Sequence, residues 1–267
     1  MIRLRNMRTS IAVTGLGVLA VGVVVATSLP AAASRGIATG ALQLHLATMH
    51  STWHEIPCPA GAASASGLCY AIQGHGLVRG LGRTTESYTY VLQDTAAQQT
   101  TIHFAGAITV AGKGELDVSA DTASPVCPCN SDGASFNFTI TGGTGAYDGA
   151  EGSGTVFDAL RATGANQGWG IDTWSGTLTV PGYAFDTTPP VISGAVPKVV
   201  KVPKGVKRVR VTYTVSAQDP GEGALPVTCA PRSASLFKLG RTMVSCAATD
   251  ANGNTARASF SVLVKHA

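Results

Sequence analysis

Ile102-His103-Phe104-Ala105-Gly106-Ala107-Ile108-Thr109-Val110 sets Ile102, Phe104, Ile108 and Val110 on one face of an extended chain. Ser135-Phe136-Asn137-Phe138-Thr139-Ile140 repeats the pattern, with Asn and Thr on the other face. Trp174-Ser175-Gly176-Thr177-Leu178-Thr179-Val180 does so again. A period of two with polar alternates specifies antiparallel sheet with one buried face. Further strands are expected around Cys69–Gly74, Ser87–Leu92, Gly114–Ser119 and Gly154–Leu160. Seven or eight strands between Gly-rich turns imply a closed barrel or a sandwich. Helical composition is confined to Gly40–His54, where Ala, Leu and His are frequent, and a helix is expected there.

The whole chain has 267 residues, 45% hydrophobic and 13% charged, which is ample for a buried core and excludes wholesale disorder. Its net charge of +4 is weak support for nucleic-acid binding, and the N-terminus inflates it. Arg3, Arg5 and Arg8 precede the uncharged run Ile11–Leu29, then Pro30 and Ala31-Ala32-Ala33. Basic, apolar, small is the order of a secretory signal peptide, residues 1–33, with cleavage expected after Ala33. The alternative is an uncleaved anchor. All six cysteines follow the leader, and an even count in an exported protein implies three disulfides.

Phe185-Asp186-Thr187-Thr188-Pro189-Pro190 marks a boundary, because paired prolines hold the chain extended and remove two donors. Residues 34–186 carry 5 Lys+Arg against 12 Asp+Glu, a net of −7. Residues 187–267 carry 11 against 3, a net of +8. An acidic module is therefore joined to a basic one.

Between two of the expected strands lies Ile140-Thr141-Gly142-Gly143-Thr144-Gly145-Ala146-Tyr147-Asp148-Gly149-Ala150-Glu151-Gly152-Ser153-Gly154. A dinucleotide fingerprint needs Gly-x-Gly-x-x-Gly opening a helix. Here Gly149 is one residue too far, a strand follows, and the phosphate-loop lysine is missing. A tight turn with crowded strands accounts for the glycines. The string, together with Gly74-His75-Gly76-Leu77-Val78-Arg79-Gly80-Leu81-Gly82, resembles segments of dirigent-like and allene-oxide-cyclase-like β-barrels. The resemblance covers about 110 residues and implies an eight-stranded barrel with an apolar lumen. In that family the lumen sometimes catalyses cyclisation or guides radical coupling. The family's catalytic acids match no positions here, so no catalytic residue is assigned.

In the second module Val209, Val211, Tyr213 and Val215 alternate with Arg208, Arg210, Thr212 and Thr214, and one continuous strand is expected. Val244, Cys246 and Ala248 form another, and Ala258, Phe260, Val262 and Val264 the last. About 80 residues of this kind suggest an immunoglobulin-like β-sandwich. Its ordered landmarks resemble the hyalin repeat, or HYR, module: Asp186-Thr187-Thr188-Pro189-Pro190, Asp219, Val227-Thr228-Cys229, Pro231, Phe237, Gly240, Val244-Ser245-Cys246, Asp250, Gly253-Asn254 and Phe260. Ala234 departs from it, where glycine is common. The resemblance implies an extracellular contact module without catalysis. Asp250-Ala251-Asn252-Gly253-Asn254 is no EF-hand, since Thr255 and Ser261 stand where Gly and Glu are required; a hairpin turn explains it.

Cys229 and Cys246, the second module's only cysteines, are expected to pair. Among Cys58, Cys69, Cys127 and Cys129, Cys58–Cys69 is favoured, with crossed pairing as the competitor. If Gly40–His54 were helical, His50 and His54 would share a face near His45, yet no metal motif is completed. No nucleophile elbow is present, and no cofactor is assigned. Tyr88, Tyr90, Phe104, Phe136, Phe138 and Trp174 are the expected lining of a barrel lumen. Lys198, Lys201, Lys204, Lys207, Arg208 and Arg210 form a basic run. It reads as a solvated edge, as attraction to an anionic surface, or as docking on the acidic module.

The leading expectation is an all-β protein, a barrel followed by a sandwich, that is secreted or held at the cell surface. It would bind an extracellular protein or an anionic cell-wall polymer through the second module. The competing expectation is a carrier or cyclase-like enzyme using the lumen for a small apolar molecule. A structural envelope protein is third. A filled barrel favours the first; a pocket with a convergent acid favours the second.

Overall fold

The computed structural model describes residues 37–38, 40–62, 67–95, 99–125 and 133–267. The leader, Cys127 and Cys129 lie outside them. Nineteen strands follow in chain order among these residues. The first ten are β1 (Ile37–Ala38), β2 (Leu42–Ile56), β3 (Cys69–Val78), β4 (Gly82–Thr95), β5 (Gln99–Val110), β6 (Gly114–Thr122), β7 (Ala134–Gly143), β8 (Glu151–Ala162), β9 (Gln167–Thr179) and β10 (Phe185–Asp186). Strands β2 to β9 pair antiparallel in sequence order, and β9 closes on β2 to complete an eight-stranded barrel. A single 3-10 turn, Gly145–Tyr147, joins β7 to β8.

The expected helix at Gly40–His54 is instead strand β2. Its register against β9 shifts by one residue between Leu44 and Ala47. A bulge of one residue flips the face presented by everything after it. Leu42 and Leu44 therefore point inward on even numbers, while Met49 and Ser51 do so on odd numbers. The phase change breaks the alternation in the sequence, and tertiary pairing overrides the helical composition.

The interior of the barrel is one hydrophobic core, including Met49, Ile72, Phe104, Leu116, Phe136, Phe138 and Leu178. Outward positions are mostly polar, among them Gln73, Arg83, Thr85, Ser87, Asp117, Asn137 and Thr155. Apolar inside and polar outside is the reverse of a lipid-facing barrel. Small inward residues make the packing possible: a side chain at Gly154 or Gly176 would press on the Phe138 ring at 2.9 Å. At one end Tyr183 packs on both Tyr147 and Phe185, with ring centroids 5.5 and 4.9 Å apart.

The remaining strands are β11 (Val191–Ser193), β12 (Lys198–Val202), β13 (Arg208–Val211), β14 (Ser216–Asp219), β15 (Gly223–Leu225), β16 (Thr228–Ala230), β17 (Ser235–Lys238), β18 (Gly240–Thr249) and β19 (Thr255–His266). They form sheets β11-β14-β15, β12-β19-β18-β16 and β13-β17, a sandwich around Val202, Val211, Phe237, Val244, Phe260, Val262 and Val264. The continuous strand expected over residues 208–215 ends at Val211. Tyr213 instead exchanges backbone hydrogen bonds with the Ser233 hydroxyl, at 2.9 and 2.7 Å, so a side chain replaces the neighbouring strand there.

The Asp250–Asn254 turn rests against the barrel. Gly80 N donates to Asn252 O at 2.7 Å, and Lys113 Nζ to Asn252 Oδ1 at 2.7 Å. Arg79 Nη2 donates to Thr187 O at 2.8 Å, and Asn254 Nδ2 to Asp186 O at 3.0 Å. The junction is thus held by polar contacts through side chains that the barrel and the turn contribute in turn.

Candidate functional site

All six expected lumen residues are buried, and five of them form a continuous ring cluster with Trp174. Tyr90 stacks on Phe104 at 5.0 Å, Phe104 meets Phe136 edge-on at 5.1 Å, and Phe138 meets Trp174 at 4.9 Å. Tyr88 lies 5.0 Å from Phe104 and 6.0 Å from Trp174. These rings fill the barrel rather than line an opening. The void beside them, bounded by Leu44, Met49, Phe138 and Trp174 among others, holds about 10 Å³. That is at the threshold for one water.

Among the rings sit three carboxyl groups that the sequence reading did not single out: Glu86 on β4, Asp158 on β8 and Asp172 on β9. Their exposures are 3%, 1% and 2%. Alternation places them: Glu86 shares the inward phase of Tyr88 and Tyr90, and Asp172 that of Trp174. A side chain on Gly74 would collide with Glu86 Oε1, so that glycine makes the room for the carboxyl. Asp158 accepts from the Tyr90 hydroxyl. Asp172 lies within hydrogen-bonding reach of both Glu86 and Asp158.

No buried Lys, Arg or His answers these acids among the described residues. Nor do aligned donors reach Glu86 or Asp172; Tyr88 OH and the Ser51 hydroxyl, also buried, stay unpaired. Burial, the contact with Asp172 and the nearby Asp158 push Glu86 up to about 10. Burial and then the Asp172 charge push Asp158 well up, against the opposing Tyr90 hydrogen bond. Burial likewise raises the Tyr88 and Tyr90 hydroxyls. At neutral pH Glu86 and Asp158 are therefore uncharged acids in an apolar box, the state in which a carboxyl can donate a proton. With those two neutral, the barrel module's net of −7 falls to −5.

The basic run lies on the second module. Lys198 and Lys201 are on β12, an edge strand of its sheet paired parallel with β19; Arg208 and Arg210 are on β13. All six residues, Lys198, Lys201, Lys204, Lys207, Arg208 and Arg210, are exposed. Lys198 donates to Thr212 O at 2.6 Å and Arg210 to Ala234 O. The one ion pair among the described residues is elsewhere, His103 with Asp121 at 2.9 Å on the barrel's outside. Two open grooves, of about 470 and 500 Å³, flank the Cys229–Cys246 region; Arg232 and Arg257 stand in them with Thr228, Ser233, Ser245 and Ser259.

Cys229 and Cys246 face each other across β16 and β18 and are bonded; Cys58 is bonded to Cys69. His50 and His54 stand on a strand, where four residues span about 13 Å, too far for one metal ion. His50 instead packs near His75, with ring centroids 6.3 Å apart.

No curated protein and no solved structure matches the chain. The sandwich does find its kin: residues 185–264 match the family model of the HYR domain.

Proposed function

We propose that this is an exported binding protein. Its HYR module supplies the contact surface, and the filled barrel is the body that carries it. The observation behind this reading is the contrast between the modules. Six basic side chains of the HYR module stand exposed with no acidic partner among the described residues. The barrel keeps its aromatic residues inside, around a void of about 10 Å³. The partner class is an extracellular protein or an anionic cell-wall polymer, drawn in because fixed positive charge concentrates polyanions. Retention of the full chain on purified anionic cell-wall polymer across a salt series tests it. Retention should fade towards 0.15 M salt, where exposed charges are screened beyond about 8 Å. No retention at low salt would remove the polymer as partner.

A second reading rests on Glu86, Asp158 and Asp172, which converge on the aromatic cluster as acids would in a dirigent-like or cyclase-like lumen. In that reading the barrel opens to admit a small apolar molecule and a neutral carboxyl serves as proton donor. Saturable one-to-one uptake of an uncharged apolar fluorophore by the folded full chain would support it; no uptake would count against it.

A further inference from the structure

Asp219, at the end of β14, is 2% exposed. Its Oδ1 accepts from Gly221 N at 2.7 Å and Glu222 N at 3.0 Å. Its Oδ2 is buried and has no partner. Asp186, at the end of β10, spends Oδ1 on Thr188 N at 2.9 Å. Its Oδ2 has a long contact from Asn252 Nδ2, at 3.4 Å. The two carboxyls converge: a side-chain carbon on Gly221 would lie 3.3 Å from Asp219 Oδ1 and 3.7 Å from Asp186 Oδ2.

The nearby cationic side chains are engaged elsewhere. Arg79 reaches Asn254 Oδ1 and Thr187 O, and Lys113 reaches Asn252 Oδ1 and Leu81 O. Neither makes an ion pair with Asp186 or Asp219. Leaving a buried carboxyl oxygen unpaired beside a second carboxyl is costly, and native structures seldom tolerate it without a ligand. The turn that follows is not the answer. Both Asp250 oxygens are consumed by Asn254, at 2.7 Å from its backbone N and 2.8 Å from Nδ2.

We propose that Asp186 and Asp219 form a calcium site at the junction of barrel and HYR module. All-oxygen donors select a hard cation. No group of three His, Cys, Asp or Glu residues gathers among the described residues, which argues against a zinc-type centre. Two carboxylates, completed by backbone carbonyls and water in an irregular junction, suit calcium's flexible coordination better than magnesium's strict octahedron. With so few charged ligands the affinity belongs to the weak extracellular class, with Kd about 0.1–1 mM. Because one ligand ends the barrel module and the other lies in the sandwich, bound calcium ties the two together.

Thermal unfolding of the full chain at constant ionic strength tests this, with chelator, CaCl₂ or MgCl₂. About 10 mM calcium should raise Tm by roughly 3–6 °C over chelator, and magnesium by less. Asp219→Asn keeps the Oδ1 acceptor and turns a donor towards Asp186, so it should fold, and its Tm should ignore calcium. Asp186→Asn, at a less buried position, should behave alike and serves if the first variant fails to fold. A wild-type Tm unchanged by calcium, an equal rise in magnesium, or a full calcium response in a folded Asn variant would overturn the assignment.

Discussion

Replacing Glu86 by Gln should flatten the pH dependence of stability. In the folded barrel this carboxyl holds its proton up to about 10, against an ordinary value of 4.5. Between those limits the native chain binds a proton that the unfolded chain releases. Its contribution is therefore fully present below pH 4.5 and is lost as pH rises through that window. In the middle of the window the loss is about 1 kcal/mol per pH unit. Gln is a neutral isostere with no proton to lose, and its amide can donate towards Asp172. The advantage of Glu86→Gln over the wild type should thus grow by about 3 kcal/mol between pH 4.5 and 7. Urea midpoints at pH 5, 6, 7 and 8 for both chains measure it, since groups common to both cancel in the difference. A difference that stays constant across the series would refute the picture of a neutral Glu86 inside the barrel. Asp158 is raised in the same direction, so some downward slope should survive in the variant.

Ala234 holds a backbone φ of +66°, in the left-handed region, while its N–H donates to Val211 O at 2.8 Å. Ala234→Gly should stabilise the chain by about 0.5–1 kcal/mol, read as a raised Tm, because the strain relieved exceeds the added chain entropy. Gly154→Ala should destabilise it by about 1–3 kcal/mol in urea titration, since the new methyl meets the Ser175 carbonyl and the Phe138 ring. N-terminal sequencing of the exported protein should begin at Ser34; recovery of an intact Ile11–Leu29 segment in membranes would contradict the leader assignment.

Much of the architecture was legible because long alternating strands leave a strong pattern. Phe136 and Phe138, or Val262 and Val264, announce their inward phase without help. Strand β2 did not, because its bulge shifts the phase between Leu44 and Ala47 and a local window sees no period. The end of β13 was hidden for a different reason: Ser233 supplies hydrogen bonds that a strand would, and sequence spacing does not reveal it. The six lumen aromatics were readable, but whether they enclose space or fill it depends on three-dimensional packing. Glu86 and Asp172 were findable by carrying the phase of Tyr88 and Trp174 two residues back. Asp158 was harder, because Val156 and Phe157 are adjacent apolar residues; only the structure reveals that Phe157 faces out at 44% exposure. Asp186 and Asp219 are 33 positions apart, and their meeting follows from the docking of modules, which no local pattern encodes.

The central claim is that the exposed basic edge of the HYR module makes this chain a binder of anionic surfaces. Its most direct test compares the full wild-type chain with a variant carrying Gln at Lys201, Lys204, Lys207, Arg208 and Arg210, on purified anionic cell-wall polymer at low salt. These side chains are exposed, so the variant should fold with an unchanged circular dichroism spectrum. The wild type should be retained and the variant should pass through. Equal retention of the two folded chains would contradict the account.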